Sequence, residues 1–241
     1  MFSRTAELYD LFYDWKDYAQ EAERVRDLVR AHNPAALSLL DVACGTGRHL
    51  EALSQWFRVE GVDLDEGLLT AAARRLPGVP LHVGDMRRLR LGRQFDAVTC
   101  LFSSIGYVRT LYGLRQAIRS MARHVAPGGV LIVEPWYAPG AFDPNHIGRV
   151  ITVERPGLAA VRMNGSRVEG RLSIMDMHYL IARPGSVEHV VEIHRLGLFS
   201  DDEYRVTLAD AGLAVEHDQE GLMGRGLWIA RRQAEASSSS R

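Results

Sequence analysis

The chain has 241 residues, 46% of them hydrophobic, and a formal net charge of −1. That is enough apolar surface for one substantial core and too little charge to attract nucleic acid or an anionic membrane at long range. The sequence has no basic run, no basic leader followed by an apolar segment and no stretch of 18 apolar residues, which predicts a soluble cytoplasmic protein without nucleic-acid or membrane partners.

Cys44 and Cys100 lack metal or redox spacing and read as small buried hydrophobes in a reducing compartment. Tyr9 to Tyr13 is too aromatic to be left in water, and Tyr18, Ala22, Val25 and Val29 then recur at helical spacing up to Asn33-Pro34. Residues 1–37 are therefore expected to form a helical cap over a sheet's carboxyl edge. Residues 38–42 make a first apolar strand. It runs through a turn containing Gly45 and Gly47 into a helix ending near Trp56. Strands are expected at 59–63, 81–83 and 95–101, with a helix through 68–73 between the first two. A further helix from Leu111 to about Val125 is closed by Pro127-Gly128-Gly129, and residues 130–134 form the fifth strand. This alternation predicts a parallel, doubly wound sheet.

The pattern changes over residues 148–199, where period-two stretches are broken by Pro156-Gly157, Asn164-Gly165 and Pro184-Gly185. These are turn signals, and they predict an inserted antiparallel sheet serving as a lid or a homodimer surface. Ser200 and the acids at 201–203 open a last helix ending near Gly212. Strands at about 214–219 and 227–231 complete the larger sheet. The expectation is a single α/β domain over residues 1–233, with a Rossmann-like seven-stranded sheet and a disordered serine-rich tail over 234–241.

The glycine turn after the first strand is where an open α/β sheet holds a ligand, because Gly45 and Gly47 let backbone approach it closely. Asp41 precedes the turn, and Asp63 ends the next strand at the position from which a carboxylate can take both hydroxyls of a ribose. Leu50 stands where a dinucleotide fingerprint has its third glycine, which favours a nucleoside without pyrophosphate. Asp85, Leu64 and Met86 supply an acceptor and an apolar slot suited to adenine. Each acid taken alone is explained equally well as a helix cap.

The set Asp41, Gly45, Gly47, Asp63, Gly84-Asp85-Met86 and Phe95-Asp96 resembles the class I S-adenosylmethionine-dependent methyltransferases. The resemblance implies a class I methyltransferase sheet and S-adenosylmethionine as cofactor, with S-adenosylhomocysteine as its product. Gly45 would pass the methionine part, Asp63 the ribose and Asp85 the adenine amino group. Tyr18, Asp41, Ala43, Leu64, Met86 and Leu101 would complete that site.

Further segments are similar to the N,N-dimethyltransferases that act on nucleotide-linked amino sugars of macrolide antibiotics, such as desosamine and mycaminose. They are Lys16-Asp17-Tyr18-Ala19, Phe102-Ser103-Ser104-Ile105-Gly106, Arg123 to Gly129, Glu134-Pro135-Trp136 and Gly224-Arg225-Gly226-Leu227. Trp136-Tyr137 stands where that family usually has two tryptophans, and Leu222-Met223 where it has Pro-Ser. The resemblance implies dimethylation of the amine of a dTDP-linked amino-deoxysugar.

In such a reaction Tyr13 and His124 would accept or relay the amine proton, Trp136 and Tyr137 would wall the sugar, and Arg225 would grip the diphosphate. Residue chemistry leaves other roles open: a core aromatic for Tyr13, a helix-terminus imidazole for His124 and a turn for Gly224-Arg225-Gly226. His178, His189 and His194 lack carboxylates at ligand spacing and read as ordinary strand residues, so no metal is implied. Two other readings stay open: methylation of another small amine or carboxylate, and a nicotinamide dehydrogenase or silent adenosyl-binding module.

Overall fold

The computed structural model describes residues 8–145 and 147–234. The serine-rich tail beyond Ala234 and the first seven residues of the expected cap lie outside the described residues. Two short N-terminal helices, α1 (Tyr9–Phe12) and α2 (Tyr18–His32), precede the larger sheet. That sheet is α/β and Rossmann-like. Its strands are β1 (Ser38–Val42), β2 (Arg58–Asp63), β3 (Leu81–Val83), β4 (Phe95–Cys100) and β5 (Val125–Val133), with β10 (Leu213–Asp218) and β11 (Leu227–Arg232) at the far edge. Its order is β10-β11-β5-β4-β1-β2-β3, and all neighbours are parallel except the pairs made by β11.

β1 and β4 are central because both of their faces are apolar: Leu39, Leu40, Val42, Ala97 and Val98 are fully buried. Helices α3 (Arg48–Leu53), α4 (Glu66–Arg75), α5 (Leu111–Ala122) and α6 (Asp201–Ala209) return the chain between strands. Their starts are held by side-chain caps: Asp65 accepts from the amides of Gly67 and Leu68, and Thr110 from that of Gly113. Ser200 and Glu203 form a reciprocal capping box.

Two boundaries differ from expectation. α5 stops at Ala122 and β5 begins at Val125, so Pro127-Gly128-Gly129 lies inside the strand. Pairing with β4 slips between Phe95 and Ala97, where β5 passes from Val125 to Val130; a Pro-Gly-Gly segment forms this bulge readily. In the inserted sheet, β6 (Ile151–Arg155), β7 (Leu158–Glu169), β8 (Leu172–Arg183) and β9 (Ser186–Gly197) pair antiparallel in order. Pro156-Gly157 and Pro184-Gly185 make turns, whereas Asn164-Gly165 lies mid-strand, opposite Met177 and Asp176. Continuous pairing of β7 with β8 overrides its turn preference, and Gly170 makes the turn instead.

The inner face of the inserted sheet packs on the N-terminal segment. Leu8 and Phe12 join Val153, Ala160, Met177, Tyr179, Ile181 and Val190 in one cluster, with Phe12 edge-on to Tyr179 at 5.4 Å. The outer face leaves Leu180, Val187, Val191 and Ile193 exposed. Asp10 of α1 reaches the other way, accepting from Thr46 Oγ1 in the glycine turn and pairing with Arg75 of α4. The expected cap is thus a bridge between the two sheets.

Gly61 lets α3 seat against β2: a Cβ there would lie 2.7 Å from Cys44 Sγ, 2.7 Å from Leu50 Cδ1 and 2.9 Å from Leu81 Cδ2. Gly61→Ala should therefore cost about 2 kcal/mol by overpacking and lower the thermal midpoint by roughly 4 to 8 °C, as read by calorimetry.

Candidate functional site

A cavity of about 290 Å³ opens at the carboxyl ends of β1, β2 and β4, lined by Ala43, Gly45, Asp63, Leu64, Asp85, Met86 and Tyr107 among others. A second cavity of about 30 Å³ adjoins it and is lined by Tyr18, Asp41, Ala43, Gly45 and Leu101. Tyr9, Ala43, Gly45 and Ser104 belong to both. All nine residues expected around the cofactor therefore line one continuous cleft.

The cleft owes its shape to unusual backbone. Ala43, Phe102 and Ser103 have positive φ (63°, 52° and 58°) where β1 and β4 end, a conformation that costs energy for any residue but glycine. Gly45 has φ +58°, and a Cβ on it would meet nothing within 4 Å, so its backbone faces open space. Asp63 fixes this turn: Oδ2 accepts from the Gly45 amide at 2.8 Å and Oδ1 from the Asp65 amide at 2.9 Å. Burial raises its pKa, opposed by those two amides.

Asp41 is fully enclosed, accepts from Thr99 Oγ1 at 2.7 Å, and is pushed up to about 6, first by burial. Asp85 lines the opposite end. Arg87 grips both its oxygens and holds its carboxyl below the usual range. The cleft thus offers carboxylates at three strand ends and an apolar slot from Leu64 and Met86. That donor and acceptor set fits an adenosyl sulfonium amino acid. Asp41 lines the smaller cavity, Asp63 has lone pairs beyond those its two amides take, and Gly45 leaves the cleft unobstructed.

Tyr13 packs against Tyr9 (4.6 Å between ring centroids) and edge-on to Phe102 (5.2 Å), beside the cleft. Arg162 of β7 lies over its ring at 4.7 Å. Trp136 and Tyr137 form an aromatic cluster with Phe142 past the end of β5, and Trp136 Nε1 donates to Ser173 Oγ in β8 at 2.7 Å. Trp136 also lies behind Gly106, where a Cβ would sit 3.2 Å from that of Trp136.

One expectation is corrected and one is qualified. His124 lies between α5 and β5, at the amino end of the sheet and away from the cleft: its carbonyl accepts from the Phe95 amide that opens β4. Its ring is buried. Nδ1 donates to Ser120 O at 2.8 Å and Nε2 accepts from the Leu91 amide at 3.0 Å, so both nitrogens are committed to structure. Arg225 stands near the site, with two of its three guanidinium nitrogens engaged by the protein. Its Nη2 pairs with the fully buried Glu134 at 2.8 Å, its Nε donates to Ser103 Oγ at 3.0 Å, and it lies over Trp136 and Tyr137. Glu134 Oε2 in turn accepts from the Phe102 amide at 2.6 Å. The pair holds the strained Phe102-Ser103 turn, and removing Arg225 would strand a buried carboxylate. Gly226 serves this packing, since a Cβ there would meet His217 Nε2 at 2.6 Å.

Tyr9, Tyr107, Glu192 and His194 are functional candidates that sequence reasoning passed over. His194 could have been separated from His178 and His189 by strand parity, because it shares the inner face with Val190 and Leu196.

Residues 39–129 match the family model described as a methyltransferase domain. The dTDP-3-amino-3,4,6-trideoxy-alpha-D-glucopyranose N,N-dimethyltransferase of Streptomyces venezuelae is 46% identical over 228 residues, covering 93% of this chain and 96% of that protein. The chain belongs to this family of dTDP-amino-sugar N,N-dimethyltransferases. The dTDP-4-amino-2,3,4,6-tetradeoxy-D-glucose N,N-dimethyltransferase of Saccharopolyspora spinosa is 40% identical, covering 94% and 92%. A solved structure of CalS10 with bound S-adenosylmethionine, an amino pentose methyltransferase from Micromonospora echinaspora, is 39% identical. It superposes with a TM-score of 0.85 over 94% of this chain and 97% of that one. S-adenosylmethionine is the methyl donor of this class I fold.

The new placement of His124 has a measurable consequence. Burial lowers its pKa below 6.5, so the folded state holds the neutral ring and its contribution is complete above pH 6.5 and lost as pH falls below it. His124→Ala should destabilise the fold by about 2 kcal/mol, with a smaller deficit at pH 5.5 than at pH 7.5. Turnover per folded molecule should stay within about twofold, against the 10²- to 10⁴-fold expected for a general base. Urea melts at the two pH values and steady-state kinetics check both parts.

Proposed function

We propose that the chain transfers two methyl groups in succession from S-adenosylmethionine to the amine of a dTDP-linked amino-deoxysugar. The higher identity to the 3-amino relative than to the 4-amino one (46% against 40%) favours a 3-amino substrate. One observation carries the site assignment: Asp41, Asp63 and Asp85 end three parallel strands around one cleft whose glycine turn is open to a ligand. Gly45, Ala43, Tyr18 and Leu101 would hold the methionine part, Asp63 the ribose, and Asp85 with Leu64 and Met86 the adenine.

When bound, the cofactor supplies an electrophilic methyl on a sulfonium. The protein's task is to bring an unprotonated amine into line with it, since alignment of two bound partners supplies most of the acceleration. Tyr13 and Phe102 border the space for the sugar. Trp136 and Tyr137, kept in place by Arg225 and Ser173, would close its far side. In this reading Arg225 shapes the substrate pocket through Glu134 and Ser103, and its Nη1 would grip the diphosphate.

The test offers S-adenosylmethionine with a panel of dTDP-linked 3-amino and 4-amino-6-deoxyhexoses and follows product mass. One and then two methyl groups should appear, fastest on a 3-amino sugar. Methylation only of a free small amine or carboxylate would replace the amino-sugar reading with the broader one.

Asp41 gives a second test, of the cofactor site. Its carboxyl, at about 6 in the free protein, would be driven to ionise by a cationic ligand, so binding should expel a proton near pH 6. Affinity for S-adenosylmethionine should rise about tenfold from pH 5 to pH 7, and Asp41→Asn should flatten the trend. Calorimetry in buffers of different ionisation enthalpy measures the proton directly; no proton release in the wild type would place the cation elsewhere.

A further inference from the structure

With His124 assigned to structure, Tyr13 is left as the proton acceptor expected from sequence, and the inner face of the inserted sheet supplies a second, better-connected one. Tyr107 lies in the tight helical turn Ser104–Val108 that follows β4, and it lines the larger cavity. Its hydroxyl is 2.8 Å from Nδ1 of His194, a buried residue of β9. Nε2 of that ring lies 3.8 Å from Oε2 of Glu192, also buried, two residues earlier on the same strand face. The Glu192 carboxylate is too far for a hydrogen bond but favours the ring proton on Nε2 electrostatically, which leaves Nδ1 to accept from the tyrosine hydroxyl. A phenol, an imidazole and a carboxylate therefore stand in line from the cleft into the sheet interface.

We propose that Tyr107, backed by His194 and Glu192, takes the proton from the sugar's ammonium group and frees the lone pair for each methyl transfer. This rests on the amino-sugar reading above. Alkyl amines are mostly protonated in neutral water, and the first methylation yields a secondary ammonium that must lose a proton before the second. In the step, an N–H bond of the ammonium breaks and its proton bonds to the Tyr107 oxygen. The hydroxyl's original proton moves to His194 Nδ1, leaving a neutral amine, a neutral phenol and an imidazolium facing the Glu192 carboxylate. The tyrosine is a phenol before and after. This matters because burial, then the neighbouring Tyr13, Tyr179, Glu192 and Asp63, raise its pKa well above the usual value. That disfavours a phenolate base there, and a relay through the neutral hydroxyl needs none. Among the described residues of the N-terminal segment Tyr9 is a further titratable neighbour, and Arg109 and Arg195 line the same cavity.

The experiment measures kcat/KM for a dTDP-3-amino sugar and for its monomethyl derivative between pH 6.5 and 9.5, in the wild type, Tyr107→Phe, His194→Gln and Glu192→Gln. With the relay, wild-type enzyme uses the ammonium form and its profile stays shallow towards neutral pH. Tyr107→Phe and His194→Gln should depend on free amine alone and lose about tenfold per pH unit below the amine pKa, so that their deficit grows as pH falls. Glu192→Gln should show the same trend more weakly. A deficit of one size at every pH, or no deficit, would overturn the relay and leave these residues a packing role. Tyr107→Phe removes a single oxygen and decides the matter alone should His194→Gln not fold, with circular dichroism as the control. Wild-type enzyme that methylates no amino sugar at any pH would instead refute the reading on which the relay rests.

Discussion

The cleft depends on one carboxylate held at the end of a strand. Asp63 accepts from the Gly45 amide across the gap between β2 and the turn after β1, and from the Asp65 amide where its own strand gives way to α4. A buried carboxylate is costly unless its oxygens are satisfied, and backbone amides satisfy them at fixed positions. The cost of burial is therefore coupled to the shape of the glycine turn. Two neighbours extend that coupling outward. Thr46 in the turn donates to Asp10 of α1, and Arg75 of α4 closes a triangle by bonding Asp10 and the Thr46 carbonyl.

Strand and helix types were legible in the sequence wherever one physical demand dominated. Residues 38–42 and 95–100 carry apolar side chains on both faces, and strands buried on both sides require that. Ser200 followed by three acids announced a helix start, which the structure closes as a capping box. The boundaries that moved are places where pairing competes with local preference. Asn164-Gly165 has the composition of a hairpin turn, yet an unbroken ladder to β8 makes more hydrogen bonds than a turn there would. Pro127-Gly128-Gly129 was expected to end a helix and instead bulges a strand, because Phe95 pairs with Val125 before the register slips.

The candidate site was legible where function is written into consecutive residues and obscure where it is assembled across space. Asp41, Asp63 and Asp85 follow successive strands, so topology alone gathers them in one cleft. Nothing in the sequence says that Glu134 will be wholly buried and will need Arg225, so a guanidinium between glycines suggested an anionic ligand. One anion that it holds is internal. The same applies to Lys16, the one lysine of the chain, which is buried against Glu21 while His49 holds the other oxygen of that carboxylate at 2.8 Å. Burial pushes the Glu21 pKa upward, and the bonds from His49 and Lys16 outweigh it, leaving the carboxyl ionised and below its usual range. His124 misled for a related reason. A histidine after a helix suits proton transfer by type, but the sheet's direction decides which edge it occupies.

The inserted sheet shows how one strand face can serve both packing and chemistry. Along the inner face of β9 the buried positions are Val190, Glu192, His194 and Leu196. The apolar pair at the ends supplies the contact area that holds the strand down, and the polar pair between them sits where Tyr107 closes the interface. Ionisable groups in such a place are tolerable only with partners, and His194 has Tyr107 on one side and Glu192 on the other. Arg162, two strands away, is stabilised differently, by the faces of Phe12 and Tyr13 at 5.5 and 4.7 Å. Both arrangements require the N-terminal segment. Phe12 enters the inserted sheet, Asp10 holds the glycine turn, and the three residues from Asp10 to Phe12 fix how the two sheets face each other across the cleft.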